Sequence, residues 1–221
     1  MRTALLHTDA FLRGGGLFAP ARSAERPWWW LPVMIIAFSS LYGAVMGTYH
    51  LDSTARLVQV GYSAAKVPLL LLVTSLLCLP AFFVLNTVLG LRDDFREALQ
   101  AILAGQAGLS VGLAALAPIV RFWYFSNSDY NSAQLFNAFL FAVATLAGHL
   151  VMRRYYRHLV ARRPAHRFTL YGWVILYAFV GIQMGWTLRP FIGIPTQPVT
   201  FFRAEPFSNA YVFVAGLLFG N

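Results

Sequence analysis

The chain has 221 residues, of which 58% are hydrophobic, 16% aromatic and only 11% charged, and it contains a single cysteine. These values exclude an ordinary soluble domain, which carries about 25% charged residues, a disordered chain, and a disulfide scaffold. The composition instead predicts an all-α integral membrane protein, and its net charge of +9 has to be explained by where the 17 Lys and Arg residues lie.

Uncharged stretches give the predicted elements in chain order, because about 20 apolar residues in a helix cross the hydrocarbon core of a bilayer. Residues 1–27 form a polar segment without the pattern of a signal peptide. Residues 28–221 form the transmembrane domain. We predict spans at about 28–47, 67–91, 98–120, 132–152 and 168–188, and a shorter one at 206–221. The expected fold is a bundle of five to six transmembrane helices with short loops.

The basic residues predict the orientation of this bundle. Six helices place successive loops on alternate sides, so that twelve Lys and Arg residues fall on one side and five on the other. The richer side holds 1–27, the turn at 92–97 and the loop at 153–167. Because cytoplasmic loops are enriched in Lys and Arg, we expect this side, with the N-terminus, in the cytoplasm. We expect the membrane to be a bacterial cytoplasmic membrane.

Four pairs of glycines lie four residues apart within the predicted spans. Glycines at this spacing share one helix face and allow neighbouring backbones to approach closely. We predict that they pack helices within the chain, with a dimer or partner contact as the alternative. The pairs are Gly43/Gly47, Gly108/Gly112, Gly181/Gly185 and Gly216/Gly220.

Arginines cluster beside the predicted spans in two places. Such clusters fix topology, attract anionic lipid headgroups or contact a partner protein. No nucleic-acid-binding fold accompanies them, so we do not expect nucleic acid as a partner. The cytoplasmic cluster comprises Arg153, Arg154, Arg157, Arg162 and Arg163. On the other side, a proline-rich loop carries Arg189 and Arg203. These two arginines could anchor the loop at the membrane interface, form a docking surface for a partner, bind lipid phosphates, or pair with Asp129 or Glu205.

His149 is the histidine that falls within a predicted span. Its imidazole suits a haem or chlorophyll-type ligand, a proton carrier, or an interhelical hydrogen bond. No in-span carboxylate or metal-ligand spacing accompanies it. We therefore expect no metal and no cofactor. Nucleotide loops and catalytic triads are also missing from the sequence, and we do not expect an enzyme.

The turn at 92–99 follows a long apolar run and opens a helix rich in Gly and Ala. With the short-looped spans after it, this pattern resembles Yip1-type multi-pass membrane proteins over about two thirds of the chain. The resemblance implies a non-enzymatic integral membrane protein with a cytosolic N-terminus. The N-terminal region of the eukaryotic family is not seen in this sequence, so binding of small GTPases is not carried over.

These patterns together predict a non-catalytic polytopic protein that acts as a scaffold or accessory subunit of a larger membrane complex. Its expected partners are membrane lipids, anionic on the cytoplasmic side, and other integral membrane proteins. One alternative is a pigment-, haem- or quinone-associated subunit of a photosynthetic or respiratory complex, with His149 as ligand. Another is a small transporter or channel that uses a helix break at Pro80 and Asn86.

Overall fold

The computed structural model describes residues 29–51, 56–194, 197–203 and 209–212. Regular structure in these residues is helical, without a strand, which confirms the predicted all-α class. Five helices in chain order carry the fold, with a 3-10 turn at Arg92–Asp94 between the second and third. They are α1 (Trp30–Met46), α2 (Leu57–Val88), α3 (Phe95–Ser126), α4 (Tyr130–Arg162) and α5 (His166–Thr187).

Four of these helices, α2 to α5, are long and apolar enough to cross a membrane. The first helix, α1, is apolar but has only 17 residues, which is short of the roughly 20 needed for a full crossing. The described part of the chain therefore supports four candidate spans where the sequence predicted five to six. The predicted span at 206–221 lies outside the described residues except for 209–212.

The helices extend beyond the uncharged stretches that predicted them. The clearest difference is at α2, which begins at Leu57 rather than at 67 and therefore contains Lys66. The predicted span at about 67–91 leaves Lys66 in the preceding loop, and that boundary is wrong. The same helix continues through Pro80 to Val88, so Pro80 does not interrupt it. The side-chain amide of Asn86 donates to the Phe82 carbonyl one turn earlier (2.8 Å) and thus remains within α2.

The bundle is built around α1 and α3. α1 packs against both α2 and α3, α3 packs along α4, and α5 packs mainly on α2. Buried residues of α1, α3 and α4, such as Ile35, Tyr42 and Leu113, form one apolar core. A second core, around Phe82 and Trp173, joins α2 to α5. The same core includes Tyr156 of α4, so α4 and α5 meet at this end of the bundle but pack together much less than α5 packs on α2.

The loops meet at two ends of the bundle, in the alternation that the sequence predicted. At the end that we call the loop end, residues 47–51 and 127–129 lie near 188–194 and 197–203, and the Tyr49 hydroxyl donates to the Ser128 carbonyl (2.6 Å). At the opposite, basic end, the turn after α2 meets the turn before α5. There the His166 imidazole lies 3.1 Å from an oxygen of Asp94.

Candidate functional site

Two adjoining cavities lie beside α4 and α5. The larger, which we call the loop-end chamber, has a volume of about 980 Å³. The smaller, the middle chamber, has a volume of about 340 Å³ and lies deeper among α2, α3, α4 and α5. Leu70, Phe141 and Ile182 line both chambers. The two chambers therefore form one cleft that runs from the loop end towards the middle of the bundle.

The cleft lies beside α5, which packs mainly on α2, and two glycines of α5 line it. Gly185 lines the loop-end chamber, and a methyl group added there would meet no atom within 4 Å. Gly181 lines the middle chamber, where such a methyl group would meet only the Thr74 methyl, at 3.6 Å. We predicted that this pair packs helices together. Among the described residues, none lies next to Gly185, which borders the loop-end chamber, so its role in helix packing stays a prediction.

The charged side chains on the described wall of the loop-end chamber are two arginines, without an Asp or Glu. The Arg189 guanidinium lies over the ring of Trp186, with 3.3 Å between its central carbon and the ring centroid. Arg203 has a buried Nε that finds no hydrogen-bond partner among the described residues. The described part of the chamber wall is thus basic, and it also carries the amide side chains of Gln134, Asn137 and Asn209.

Asn137 is already saturated by the protein. Its Oδ1 accepts from the Tyr42 hydroxyl (2.9 Å), and its Nδ2 donates to the Tyr124 hydroxyl and the Ala133 carbonyl, both at 2.8 Å. It is 1% exposed. Asn137 therefore fixes α1, α3 and α4 behind the chamber wall, and the two arginines remain the side chains best suited to recognise a ligand.

The middle chamber is lined mainly by apolar side chains. Among its polar residues, Gln106 is buried and accepts a hydrogen bond from the Tyr177 hydroxyl (3.1 Å). The Thr74 side chain is fully buried, and its hydroxyl has no hydrogen-bond partner in the described structure. Because this wall is mainly apolar, a polar solute that entered the chamber would lose hydrogen bonds to water without replacing them. The chamber therefore favours a hydrocarbon chain.

His149, the predicted cofactor ligand, lies half-buried on the wall of the middle chamber. It makes no hydrogen bond with another described residue, so the alternative interhelical bond is not formed there. Groups of three or more potential metal ligands are likewise not found where the structure is described. On the described wall of the middle chamber, His149 is accompanied by no second His and by no Cys, Asp or Glu.

The loop after α5 is fastened to α2 by a row of polar residues that the sequence analysis missed. Gln59 and Ser63 both donate to the Phe191 carbonyl, and Lys66 donates to the Pro190 carbonyl at 2.6 Å. Lys66 is 0% exposed. The signal was present in the sequence, since positions 59, 63 and 66 share one face of a helix. This row holds the loop in place as the roof of the loop-end chamber.

Two arginines of the basic cluster, Arg162 and Arg163, contact neighbouring elements. Arg162 donates to both carboxylate oxygens of Glu97, at 3.1 and 3.2 Å, and Arg163 donates to the Gly90 carbonyl (3.0 Å). Arg162 thus joins the end of α4 to the first turn of α3, and Arg163, just after α4, contacts the turn that follows α2. The remaining arginines of the predicted cytoplasmic cluster, Arg153, Arg154 and Arg157, are exposed.

Two other glycine pairs lie where helices approach closely. A methyl group at Gly43 would overlap the backbone of Ser63, and one at Gly47 would lie 2.7 Å from a backbone atom of α2. On the α3–α4 contact, a methyl group would lie 2.9 Å from Val151 at Gly108 but 3.6 Å from Ala144 at Gly112, which is an ordinary distance. Gly216 and Gly220 lie outside the described residues.

Comparison with known proteins yields no relative for this chain. No family model matches it, and no curated protein and no solved structure is significantly similar to it. The Yip1-type resemblance of the turn at 92–99 therefore stays a prediction.

Proposed function

We propose that the chain is a non-catalytic, multi-pass membrane protein that binds a lipid-like molecule in the cleft between α4 and α5. The cleft itself is the observation that carries this proposal. A mainly apolar chamber of about 340 Å³ adjoins a larger one whose described wall is basic, among helices apolar enough for a bilayer. Concave, mostly apolar cavities with a few polar groups are typical of small-molecule sites.

The placement of the cleft favours a ligand that comes from the bilayer. α5 packs mainly on α2, and Ile182, which lines both chambers, is 56% exposed. We propose that a molecule dissolved in the surrounding lipid enters the cleft beside this side chain. We further propose that the basic end faces the cytoplasm, since exposed arginines such as Arg153 and Arg157 lie there.

Filling the middle chamber tests this proposal. Gly181→Phe places a ring beside Thr74 in the chamber of about 340 Å³ without a backbone clash. Gly61→Phe is the matched control, because Gly61 is also helical, is exposed and has no atom within 4 Å of an added methyl group. Native mass spectrometry of the full chain, extracted in mild detergent, measures how much lipid remains bound.

We expect the wild type and Gly61→Phe to retain a lipid-sized mass that Gly181→Phe loses. Thermal unfolding of the three proteins shows whether Gly181→Phe is still folded. Equal retention by all three, or a wild-type chain that carries no lipid from membranes or after addition of lipid, would overturn the proposal.

A role as an accessory subunit is the second candidate, and the exposure of α5 is what favours it. Only 17% of its apolar window is buried within the chain, against 61% for the segment Arg92–Ser126. A helix with so few partners in its own chain suits contact with another membrane protein. Cross-linking in native membranes from a photoreactive residue at Ile175 tests this role, and cross-links to lipid alone would contradict it.

A further inference from the structure

We infer that the ligand of the cleft is an anionic phospholipid, with its headgroup between Arg189 and Arg203 and an acyl chain in the middle chamber. This inference rests on the proposed function and adds the chemical class of the ligand. It is carried by the charges of the loop-end chamber, by the unpartnered buried atom of Arg203 and by the depth of the cleft.

Charge complementarity selects the headgroup. Arg189 and Arg203 are the charged residues on the described wall of the loop-end chamber, and both are only partly exposed. The partly buried Arg203 guanidinium is stabilised by an anion that accepts its hydrogen bonds, and phosphate matches the planar arrangement of its N–H donors. A zwitterionic headgroup would bring its own cation to the same basic wall. A net negative headgroup is therefore favoured.

The buried Nε of Arg203 gives an independent indication. This atom has no hydrogen-bond partner among the described residues, although buried donors in proteins are nearly always paired. Arg203 also lies near Tyr130 at the start of α4, on the far side of the cleft from α5. A phosphate in the chamber would satisfy this donor.

The depth of the cleft matches a lipid rather than a small anion. Its wall follows α4 from Gln134 in the loop-end chamber to His149 in the middle chamber. At the rise of an α-helix this separation is about 22 Å. One leaflet accounts for half of a hydrocarbon core of about 30 Å. A headgroup at the loop end therefore places an acyl chain alongside Phe141 and into the apolar middle chamber.

Binding of two phospholipids with identical acyl chains to the full-length protein tests this inference. The probes are phosphatidylglycerol, which is anionic, and phosphatidylcholine, which is zwitterionic, each added to delipidated protein and followed by native mass spectrometry. We expect phosphatidylglycerol to bind about tenfold more tightly. Arg203→Gln should lower its affinity about tenfold, which is about 1.4 kcal/mol, in line with the loss of one charge-assisted hydrogen bond.

Two arginines outside the cleft are the matched controls. Arg121 lies at the same loop end, where it contacts Thr48, and Arg153 is exposed at the basic end. Arg121→Gln and Arg153→Gln should leave the affinity for phosphatidylglycerol unchanged. Arg203→Lys should retain most of the affinity for phosphatidylglycerol that Arg203→Gln loses, since lysine keeps the positive charge. Circular dichroism and thermal unfolding identify any variant that is not folded.

The outcomes separate this inference from the function on which it rests. If both lipids bind equally and Gly181→Phe displaces both, the cleft binds lipid but the inference about charge is overturned. If Arg153→Gln lowers binding and Arg203→Gln does not, the anionic lipid binds at the basic end and the inference is again overturned. If neither lipid binds, the proposed function fails as well. If Arg203→Gln and Gly181→Phe lose phosphatidylglycerol binding while the control variants keep it, both the inference and the proposed function are supported.

Discussion

Replacing Gly43 by alanine should destabilise the bundle by about 1–2 kcal/mol, because the new methyl group has no room. It would overlap the Ser63 carbonyl and lie 2.9 Å from the Ser63 carbonyl carbon and 3.0 Å from the Ala64 Cα. All three are backbone atoms of α2, so no side-chain rotation relieves the overlap and α1 has to move away from α2. Overpacking of this kind costs about 1–3 kcal/mol.

The net magnitude follows from two opposing effects. A clash with backbone belongs at the upper part of the overpacking range, about 2–3 kcal/mol, and the better helix propensity of alanine offsets about 1 kcal/mol of it. For a chain of this size, the difference corresponds to a fall in Tm of about 2–8 °C. Gly61→Ala keeps only the propensity gain, because its methyl group meets no atom within 4 Å.

Thermal unfolding in one detergent, followed by circular dichroism, compares these two variants with the wild type. We expect Gly43→Ala to unfold at a lower temperature and Gly61→Ala at the same or a higher one. If Gly43→Ala were as stable as Gly61→Ala, α1 and α2 would not be in backbone contact and the reasoning would be refuted.

Three further substitutions test other contacts. Lys66→Met removes the donor to the Pro190 carbonyl, which should release the loop after α5, and faster deuterium exchange there with an intact bundle would show this. Glu97→Gln loses a half-exposed ion pair with Arg162 of α4. The free energy of unfolding should therefore fall by no more than about 1 kcal/mol, and by less in high salt. The hydrogen bond from Ser132 lowers the pKa of Asp129, so its stabilising effect should be lost as pH falls below about 4, and Asp129→Asn should remove this pH dependence of Tm.

The uncharged runs of the sequence were sufficient to locate α2 to α5, because the requirement for apolar length is nearly the same wherever a helix crosses a bilayer. The helix ends were harder to locate. A charged residue is expected to end a span, but Lys66 lies within α2 because its ammonium donates to the Pro190 carbonyl in a distant loop. Such a partner lies far along the chain and leaves no local signal. Only the shared face of Gln59, Ser63 and Lys66 could have indicated it.

The cleft could not be predicted, because it depends on which helices become neighbours. The sequence orders α4 and α5 next to each other and joins them by a short turn, which favours their direct packing. In the structure α5 packs on α2 instead. The helix on which α5 packs determines whether Arg189 and Arg203 lie on an outer surface or around a chamber. The positive charge of these arginines is compatible with lipid phosphates. Their position on the wall of a chamber could be seen only in the folded structure.

The glycine pairs show how one spacing serves two opposite purposes. At Gly43 the missing side chain lets two backbones touch, whereas Gly185 borders a chamber and an added methyl group there would meet no described atom within 4 Å. The distinction has a consequence for mutation. Adding volume at the first kind of glycine separates helices and lowers stability, while adding volume at the second kind enters empty space and lowers ligand occupancy with little effect on unfolding. A protein whose stability were sensitive at both positions would have no cleft between α4 and α5.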